Sequence, residues 1–333
     1  MPQTPSIDER WTFLSHKTVI LENKTLRIAV LPELGARIWS VIYKPLDREL
    51  IWQNSRIPPQ RVQHGSAFDN FWCGGWEEMF PTVAPATIHG ESYPDHGEVW
   101  SLAWTGSSDR GRDSVTLRLN CHTPISGLAV EKALTLRGDM AAFDVRYTIK
   151  NPGNNEAFPF LFALHPAMPV SEGYRIDFPD MQFELDPSFP GTLAGIESPF
   201  RWPLAKGKTG EVDLRVVKPA SSKQLYMLYG YGHREGWVAI TDPASKLTAG
   251  LTFSPEFFQS CWMFAPYGGW RGYHDVVLVE PCTSYPARLE EVIQNGRVRS
   301  LEPGAVTATT VRFLVQEGLS SVGGLTETGL FRE

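Results

Sequence analysis

The chain has 333 residues, of which 42% are hydrophobic, and it carries a formal net charge of -6. The basic excess typical of nucleic-acid-binding proteins is missing, so no nucleic-acid partner is expected. No apolar run approaches the roughly 20 residues of a membrane-spanning helix, and the N-terminus lacks the basic and apolar regions of a signal peptide. We therefore expect a cytoplasmic protein without a membrane partner.

Short segments that alternate apolar and polar residues dominate the chain, and this period of two is typical of strands with one buried face. In chain order the predicted strands are Thr18–Glu22, Leu26–Leu31, Arg37–Tyr43, Ser114–Asn120, Ala129–Leu136, Ala142–Ile149, Leu225–Leu228, Gly236–Thr241, Leu247–Phe253, Cys261–Ala265, Val276–Val279 and Ala308–Val315. Leu289–Gln294 is predicted to form a helical turn or two. Strands spaced by roughly 8–12 residues indicate an all-β sandwich or barrel.

No Pro-, Ser- or Gly-rich linker divides the chain, so we predict one domain over residues 1–333. Residues 1–17 are interpreted as an N-terminal lead, and residues 320–333 as a polar, poorly ordered tail. The stretch Asp186–Gly210 contains Pro and Gly residues and is predicted to be a long loop or an excursion from the main fold.

The four cysteines form no CxxC pair, which argues against a disulfide framework or a zinc knuckle. His89, Glu91 and His96 lie near one another but lack standard zinc spacing. We therefore expect no metal and no cofactor.

The eleven tryptophans are numerous for this length. Most would belong to a β core, but an indole ring can also stack on the apolar face of a sugar.

Polar groups embedded among aromatic residues mark a first candidate binding segment between Phe68 and Trp104. Its candidate substrate contacts are Trp72, Trp76, Glu77 and Glu98, and it also contains His96. Rings that stack and carboxylates that accept hydrogen bonds suit a carbohydrate ligand. Glu77 and Glu78 are adjacent, so in a strand their side chains would face opposite sides.

Two further segments place one ionisable residue beside an apolar run. His165 follows such a run in FLFALHPAMPV, and Glu280 follows Val276–Val279 and precedes Pro281, which is expected to end regular pairing. Desolvation at such a position raises the pKa of a carboxyl group toward the range of a general base. Local sequence leaves structural roles open for both residues, as a hydrogen-bonded His and as an ion-paired Glu.

Taken in order, these segments resemble the aldose 1-epimerase (galactose mutarotase) superfamily. The resemblance is carried by LRIAVLPELGARIWSVIYKPLDRELIWQ, GGWEEMFPT, DHGEVWSLAW, LHPAMPV and VVLVEPCTS, and it spans about residues 20 to 315. It implies a large antiparallel β-sandwich of the supersandwich type. It also implies an isomerase whose small-molecule partner is a free aldose and which requires no metal or cofactor.

The resemblance assigns three catalytic roles. Glu280 would remove a proton from the anomeric O1 hydroxyl, His165 would deliver a proton to ring O5, and His96 would orient the sugar. Rotation about C1–C2 in the open form, followed by reclosure, would interconvert the anomers. An acid and a base with separated pKa values suit this exchange.

The sequence departs from the superfamily at several contacts. The Arg of the galactose mutarotase phrase GRyaNRi has no equivalent, and Glu98 would repel a sugar phosphate. The remaining candidate substrate contacts are Arg37, Tyr229, His233, Trp270 and Arg271.

A non-catalytic carbohydrate-binding or sugar-sensing protein on the same fold is an alternative function. Another is a lyase, epimerase or glycosidase acting on a modified sugar; a glycosidase would pair Glu280 with Glu77 or Glu98 at about 5–10 Å.

Overall fold

The computed structural model describes residues 4–138, 140–153, 156–189, 191–208 and 210–333. The chain divides into two compact units. The first unit comprises Met1–Pro166 and Thr283–Arg312, and the second comprises Ala167–Cys282 and Phe313–Glu333. The interpretation of residues 1–333 as one domain stays a prediction. Across the described ranges, every helix is too short or too polar to cross a membrane.

The described residues form short strands with very little helix. The strands are β1 (Ser6–Phe13), β2 (His16–Glu22), β3 (Leu26–Leu31), β4 (Arg37–Tyr43), β5 (Arg48–Glu49), β6 (Trp76–Met79), β7 (Ala86–Ile88), β8 (Glu91–Tyr93), β9 (Thr105–Arg110), β10 (Ser114–His122), β11 (Ala129–Arg137), β12 (Ala142–Lys150), β13 (Phe158–Phe160), β14 (Ala163–Pro169), β15 (Arg175–Asp177), β16 (Gln182–Leu185), β17 (Phe200–Arg201), β18 (Leu204–Gly207), β19 (Gly210–Asp213), β20 (Tyr226–Tyr231), β21 (Trp237–Asp242), β22 (Leu247–Phe253), β23 (Ser260–Ala265), β24 (Val276–Cys282), β25 (Arg299–Leu301), β26 (Val306–Glu317), β27 (Gly324–Leu325) and β28 (Phe331–Arg332). The α-helix α1 spans Leu289–Gln294, and 3₁₀ turns cover Lys44–Leu46, Phe68–Asn70, Val99–Ser101, Gly191–Leu193 and Ala220–Ser222.

The first unit is built on two sheets. One has the strand order β1-β2-β3-β4-β6-β14, and the other has β9-β10-β11-β12, with the start of β26 beside β12. The pairs β1–β2, β2–β3, β3–β4, β6–β14, β9–β10, β10–β11 and β11–β12 are all antiparallel. Side chains from β6 and β12 meet between the two sheets, where the rings of Trp76 and Phe143 lie 6.2 Å apart. This arrangement is a β-sandwich.

The second unit also consists of antiparallel sheets. Its strands follow the order β24-β23-β20-β16-β17 in one sheet, and β15-β21-β22 in another, with the end of β26 beside β22. The register pairs along β20, β23 and β24 are antiparallel. The predicted all-β, antiparallel sandwich class is therefore confirmed, as are the predicted strands and the helical turn at Leu289–Gln294.

Three segments without a predicted strand contain strands. The N-terminal lead contains β1, which pairs with β2 along most of its length. The predicted loop at Asp186–Gly210, whose residues 190 and 209 lie outside the described ranges, contains β17 and β18. The C-terminal tail folds into the β27–β28 hairpin, in which Phe331 is buried against Trp237. Each segment contains apolar residues that pack in the structure. The polar residues around them made these segments look irregular in the sequence.

A buried ion pair lies between the two sheets of the first unit. Strand β11 points Val130, Lys132, Leu134 and Leu136 inward, because side chains two residues apart share a face. The ammonium of Lys132 lies 2.7 Å from Oε1 of Glu78, which also accepts a 2.6 Å hydrogen bond from the Tyr147 hydroxyl. Burial raises the pKa of Glu78 and lowers the pKa of Lys132, so each group needs the other to remain charged.

Replacing Lys132 with Met should lower the free energy of unfolding by about 3–5 kcal/mol, because Glu78 would be left buried without a cation. The double variant Glu78→Gln/Lys132→Met should recover more than half of that loss, since Gln can still accept a hydrogen bond from Tyr147. Chemical denaturation of the two variants and wild type measures both effects. A double variant no more stable than Lys132→Met would contradict the ion pair as the source of the loss.

Candidate functional site

His165 is placed by strand pairing. In the antiparallel pair β6–β14, His165 is the direct partner of Glu77, and its Nδ1 lies 3.0 Å from Oε1 of Glu77. Only 6% of His165 is exposed, and Glu77 is fully buried. The imidazole is therefore held at one ring nitrogen by a carboxylate from the neighbouring strand.

Glu77 is itself held by a cation. Nη1 of Arg37, on β4, donates a hydrogen bond to Oε2 of Glu77, and the two groups form a buried salt bridge. Burial disfavours the charged carboxylate, but Arg37 and then His165 outweigh it, so the pKa of Glu77 lies below its ordinary value. Glu77 is thus an anion whose two oxygens contact different partners.

The pKa of His165 lies below its ordinary value of 6.5 because the ring is buried, although the bond to Glu77 partly opposes this shift. Because an ionised carboxylate can only accept, a neutral His165 ring would donate to Glu77 from Nδ1. Nε2 has no hydrogen-bond partner within the described part of the chain. This nitrogen is the one left to exchange a proton with a ligand.

His96 lies beside His165. The two imidazole rings are 5.4 Å apart and nearly perpendicular. His96 has a left-handed backbone with φ of 61°, and its amide donates a 2.6 Å hydrogen bond to the carbonyl of Val83. At the next residue, Gly97, a side chain would lie 2.3 Å from the carbonyl oxygen of Phe80, so glycine is required there.

A carboxylate and an aromatic ring complete the surroundings of His96. Nδ1 of His96 lies 3.1 Å from Oδ1 of Asp95. Burial opposes ionisation of Asp95, but His96 outweighs it, and the pKa of Asp95 falls below its ordinary value. The ring of Phe68 stacks on His96 at 3.7 Å with an interplanar angle of 7°, and its edge contacts His165 at 5.4 Å.

Among the tryptophans proposed as sugar contacts, Trp72 contacts a candidate histidine, with its ring 5.9 Å from His165. Trp76 lies two residues before Glu78 on β6 and packs against Phe143 in the core. The opposite orientation of Glu77 and Glu78 is confirmed by their different partners. A substrate-binding role for Trp76 stays a prediction, and its position in the core offers no support for it.

Glu98 is fully buried and bonded to the protein. Its carboxylate accepts hydrogen bonds from the amides of Ile125 and Ser126, at 2.7 and 3.1 Å, and from the Ser126 hydroxyl at 2.7 Å. His64 lies 3.8 Å from the same carboxylate. These bonds give Glu98 a structural role in fixing the turn before β11, while a role in substrate binding stays a prediction.

Glu280 belongs to the second unit. It lies inside β24, opposite Trp262 of β23, and is 3% exposed. The expectation that pairing ends before Pro281 is wrong, because Pro281 and Cys282 continue the register with Cys261 and Ser260. The fixed φ of proline is compatible with extended backbone. The assignment of Glu280 as a base stays a prediction.

The other candidate contacts of the second unit have protein partners. The hydroxyl of Tyr229 donates to Asp186, and Nε2 of His233 lies 3.0 Å from the carbonyl oxygen of Phe258. Burial lowers the pKa of His233. The guanidinium of the exposed Arg271 lies 5.0 Å from the ring of Trp270. Substrate-binding roles for Tyr229, His233, Trp270 and Arg271 stay predictions.

Sequence reasoning missed Phe68 and Asp95. Phe68 stands at the start of the first candidate segment, but nothing in its local pattern indicates that it stacks on His96. Asp95 is adjacent to His96 in sequence, so its proximity was the available signal. The described residues contain no group of three or more His, Cys, Asp or Glu side chains arranged to hold a metal ion.

Solved structures share this fold at low sequence identity. A provisionally assigned aldose 1-epimerase from Klebsiella pneumoniae is 14% identical, with a TM-score of 0.71 over 94% of this chain and 83% of its own. A galactose mutarotase-like protein from Clostridium acetobutylicum is 10% identical, with a TM-score of 0.66 over 95% of this chain and 99% of its own. The Slr1438 protein from Synechocystis sp. PCC 6803 is 16% identical, with a TM-score of 0.67 over 95% of this chain and 98% of its own.

These similarities confirm the galactose mutarotase-like fold expected from the sequence. A family model also matches the chain over residues 6–214, which include Arg37, Glu77, His96 and His165. The match covers more than half of the 333 residues. The chain therefore belongs to the family described as "Domain of unknown function (DUF5107)".

Proposed function

We propose that this protein is an enzyme that interconverts the α and β anomers of a free aldose by acid/base ring opening. The observation that best supports this proposal is the environment of His165. Glu77 holds its Nδ1 at 3.0 Å, and its Nε2 has no partner among the described residues. A histidine anchored at one nitrogen and available at the other is suited to general acid/base catalysis.

In the proposed reaction, the O1 hydroxyl loses its proton to a base and the C1=O1 double bond forms. The C1–O5 bond breaks, and its electron pair goes to O5, which takes a proton from Nε2 of His165. Rotation about C1–C2 exposes the other face of the aldehyde. Reclosure reverses both proton transfers and returns the acid and the base to their starting states.

The lowered pKa of His165 has two effects on this chemistry. The imidazolium is the minor form at neutral pH, but once formed it is a stronger acid than an exposed histidine. Glu77 stabilises the positive charge on the ring while it is present. His165 is therefore suited to donating its proton to an oxygen of low basicity, such as the ring O5 of a sugar.

His96 would bind the sugar rather than transfer the main proton. Phe68 covers one face of its ring, and Asp95 lies beside its Nδ1. The base role of Glu280 rests on the superfamily resemblance. A glycosidase is less well supported, because its second carboxylate would be Glu77 or Glu98, and both carboxylates already bond to protein groups.

Replacing Glu280 with Gln should slow anomer exchange by at least about 100-fold, the usual contribution of a general base. Saturation-transfer NMR or polarimetry on a panel of freshly dissolved aldoses measures the exchange rate. The matched control is Glu211→Gln, which removes an exposed carboxylate from β19 and should leave the rate unchanged. Wild-type protein no faster than Glu280→Gln on every sugar would remove the enzymatic proposal.

The pH dependence of kcat/KM should report His165. Because the proton-donating form dominates only below its pKa, kcat/KM should fall as pH rises through an apparent pKa lower than 6.5. His165→Asn should lower kcat about 100-fold and abolish that limb, because an Asn amide can still donate to Glu77 but cannot supply a titratable proton. A fall in wild-type kcat/KM centred above pH 6.5, or one that persists in His165→Asn, would exclude His165 as the acid.

A further inference from the structure

Arg37 is a cation in the interior of the first unit, and its charge has no role in the reaction proposed above. It lies on β4 between apolar neighbours and is 3% exposed. Nη1 donates to Glu77 and, at 2.5 Å, to the carbonyl oxygen of Gly74. A buried guanidinium is costly unless it is paired, so its retention here requires a specific function or a specific partner.

The chain makes room for Arg37 at Gly75. A Cβ atom at Gly75 would lie 2.8 Å from both Cγ and Cδ of Arg37, and its φ of 91° is a conformation that residues with side chains rarely adopt. Gly74 supplies the carbonyl acceptor, and Gly75 supplies the space for the side chain. The Gly74–Gly75 turn therefore fixes where the guanidinium lies.

The turn is followed directly by β6, so the same segment that holds Arg37 also carries Glu77. Oε2 of Glu77 accepts from Arg37, while Oε1 faces Nδ1 of His165. A carboxylate held at both oxygens from different strands cannot rotate freely, and the oxygen facing His165 can only accept. The neutral ring must then carry its proton on Nδ1.

We propose that Arg37 is a positioning residue: it fixes the Glu77 carboxylate, and through it the ring orientation and Nδ1–H tautomer of His165. Arg37 does not touch the substrate in this role. Its effect on turnover rests on the proposed function, but its effect on the imidazole does not.

The charged groups around His165 allow the proposal to be tested by the direction in which the pKa of His165 changes. The groups that influence the ring are Glu77 on the paired strand, Arg37 beyond it, and His96 with its neighbour Asp95. Glu77 raises the pKa of His165, whereas Arg37 and His96 lower it. Arg37 also keeps the buried Glu77 ionised, so if Arg37 acts through Glu77 its removal should lower the pKa of His165, whereas loss of its direct charge effect alone would raise it.

The test is a ¹⁵N-detected titration of the histidine rings in the full-length protein, with the His165 signal assigned by its loss in His165→Asn. Wild-type His165 should be protonated on Nδ1 in its neutral form. Arg37→Gln and Glu77→Gln should both lower the pKa of His165, because each variant deprives the ring of a fixed, ionised Glu77 carboxylate. Arg37→Lys, which keeps the charge, should give a value between those of wild type and Arg37→Gln.

Turnover provides the second readout. Arg37→Gln and Glu77→Gln should lower kcat about 10–100-fold while KM changes little, which is the usual effect of losing a partner that orients a functional histidine. The control is Arg118→Gln, which removes an exposed guanidinium paired with Asp109 and should change neither readout. If Arg37→Gln does not fold, the pKa of His165 in Arg37→Lys and in Glu77→Gln is compared with that of wild type.

The two proposals can fail separately. Wild-type protein that exchanges no sugar anomers, but whose His165 shows the Nδ1–H tautomer and a lowered pKa in both variants, would overturn the enzyme and retain the role of Arg37. An active enzyme whose neutral His165 is protonated on Nε2, or whose His165 pKa rises in Arg37→Gln, would overturn the role of Arg37.

Discussion

Two adjacent buried carboxylates on one short strand are the constraint around which the first unit is organised. Glu77 and Glu78 are both fully buried in β6, and a strand directs them to opposite faces. Each face must therefore supply its own cation. Arg37 and His165 meet Glu77 on one side, and Lys132 and Tyr147 meet Glu78 on the other.

This arrangement couples the candidate site to the fold. A buried ion pair adds little stability compared with well-packed apolar residues, but removing one partner is costly because the other charge remains buried. The position of β6 is thus specified from both faces, and with it the position of the carboxylate that holds His165. A site supported in this way is held by rigid strands and not by loops alone, which suits proton transfer over a short distance.

The sequence was most informative where periodicity or order carried the signal. Alternation located the main strands, and the order of short motifs indicated the fold and singled out His96 and His165. The period of two also predicted that the side chains of Glu77 and Glu78 point to opposite faces of the strand. It could not reveal that Glu77 faces His165 or that Arg37 reaches Glu77, because these contacts join residues 88 and 40 positions apart. Pairing between distant strands is set by the whole packed unit, and no local pattern encodes it.

Phe68 closes one face of the His96 ring. Its ring lies flat on one side of the imidazole at 3.7 Å, which leaves no space for a sugar between the two rings. In the proposed function, a sugar that hydrogen-bonds to His96 would do so in the plane of the ring, where its nitrogens form directional bonds. Such in-plane contact is sensitive to the orientation of each hydroxyl. Discrimination between sugars that differ at a single carbon would then arise from stereochemistry and not from general affinity for an apolar surface.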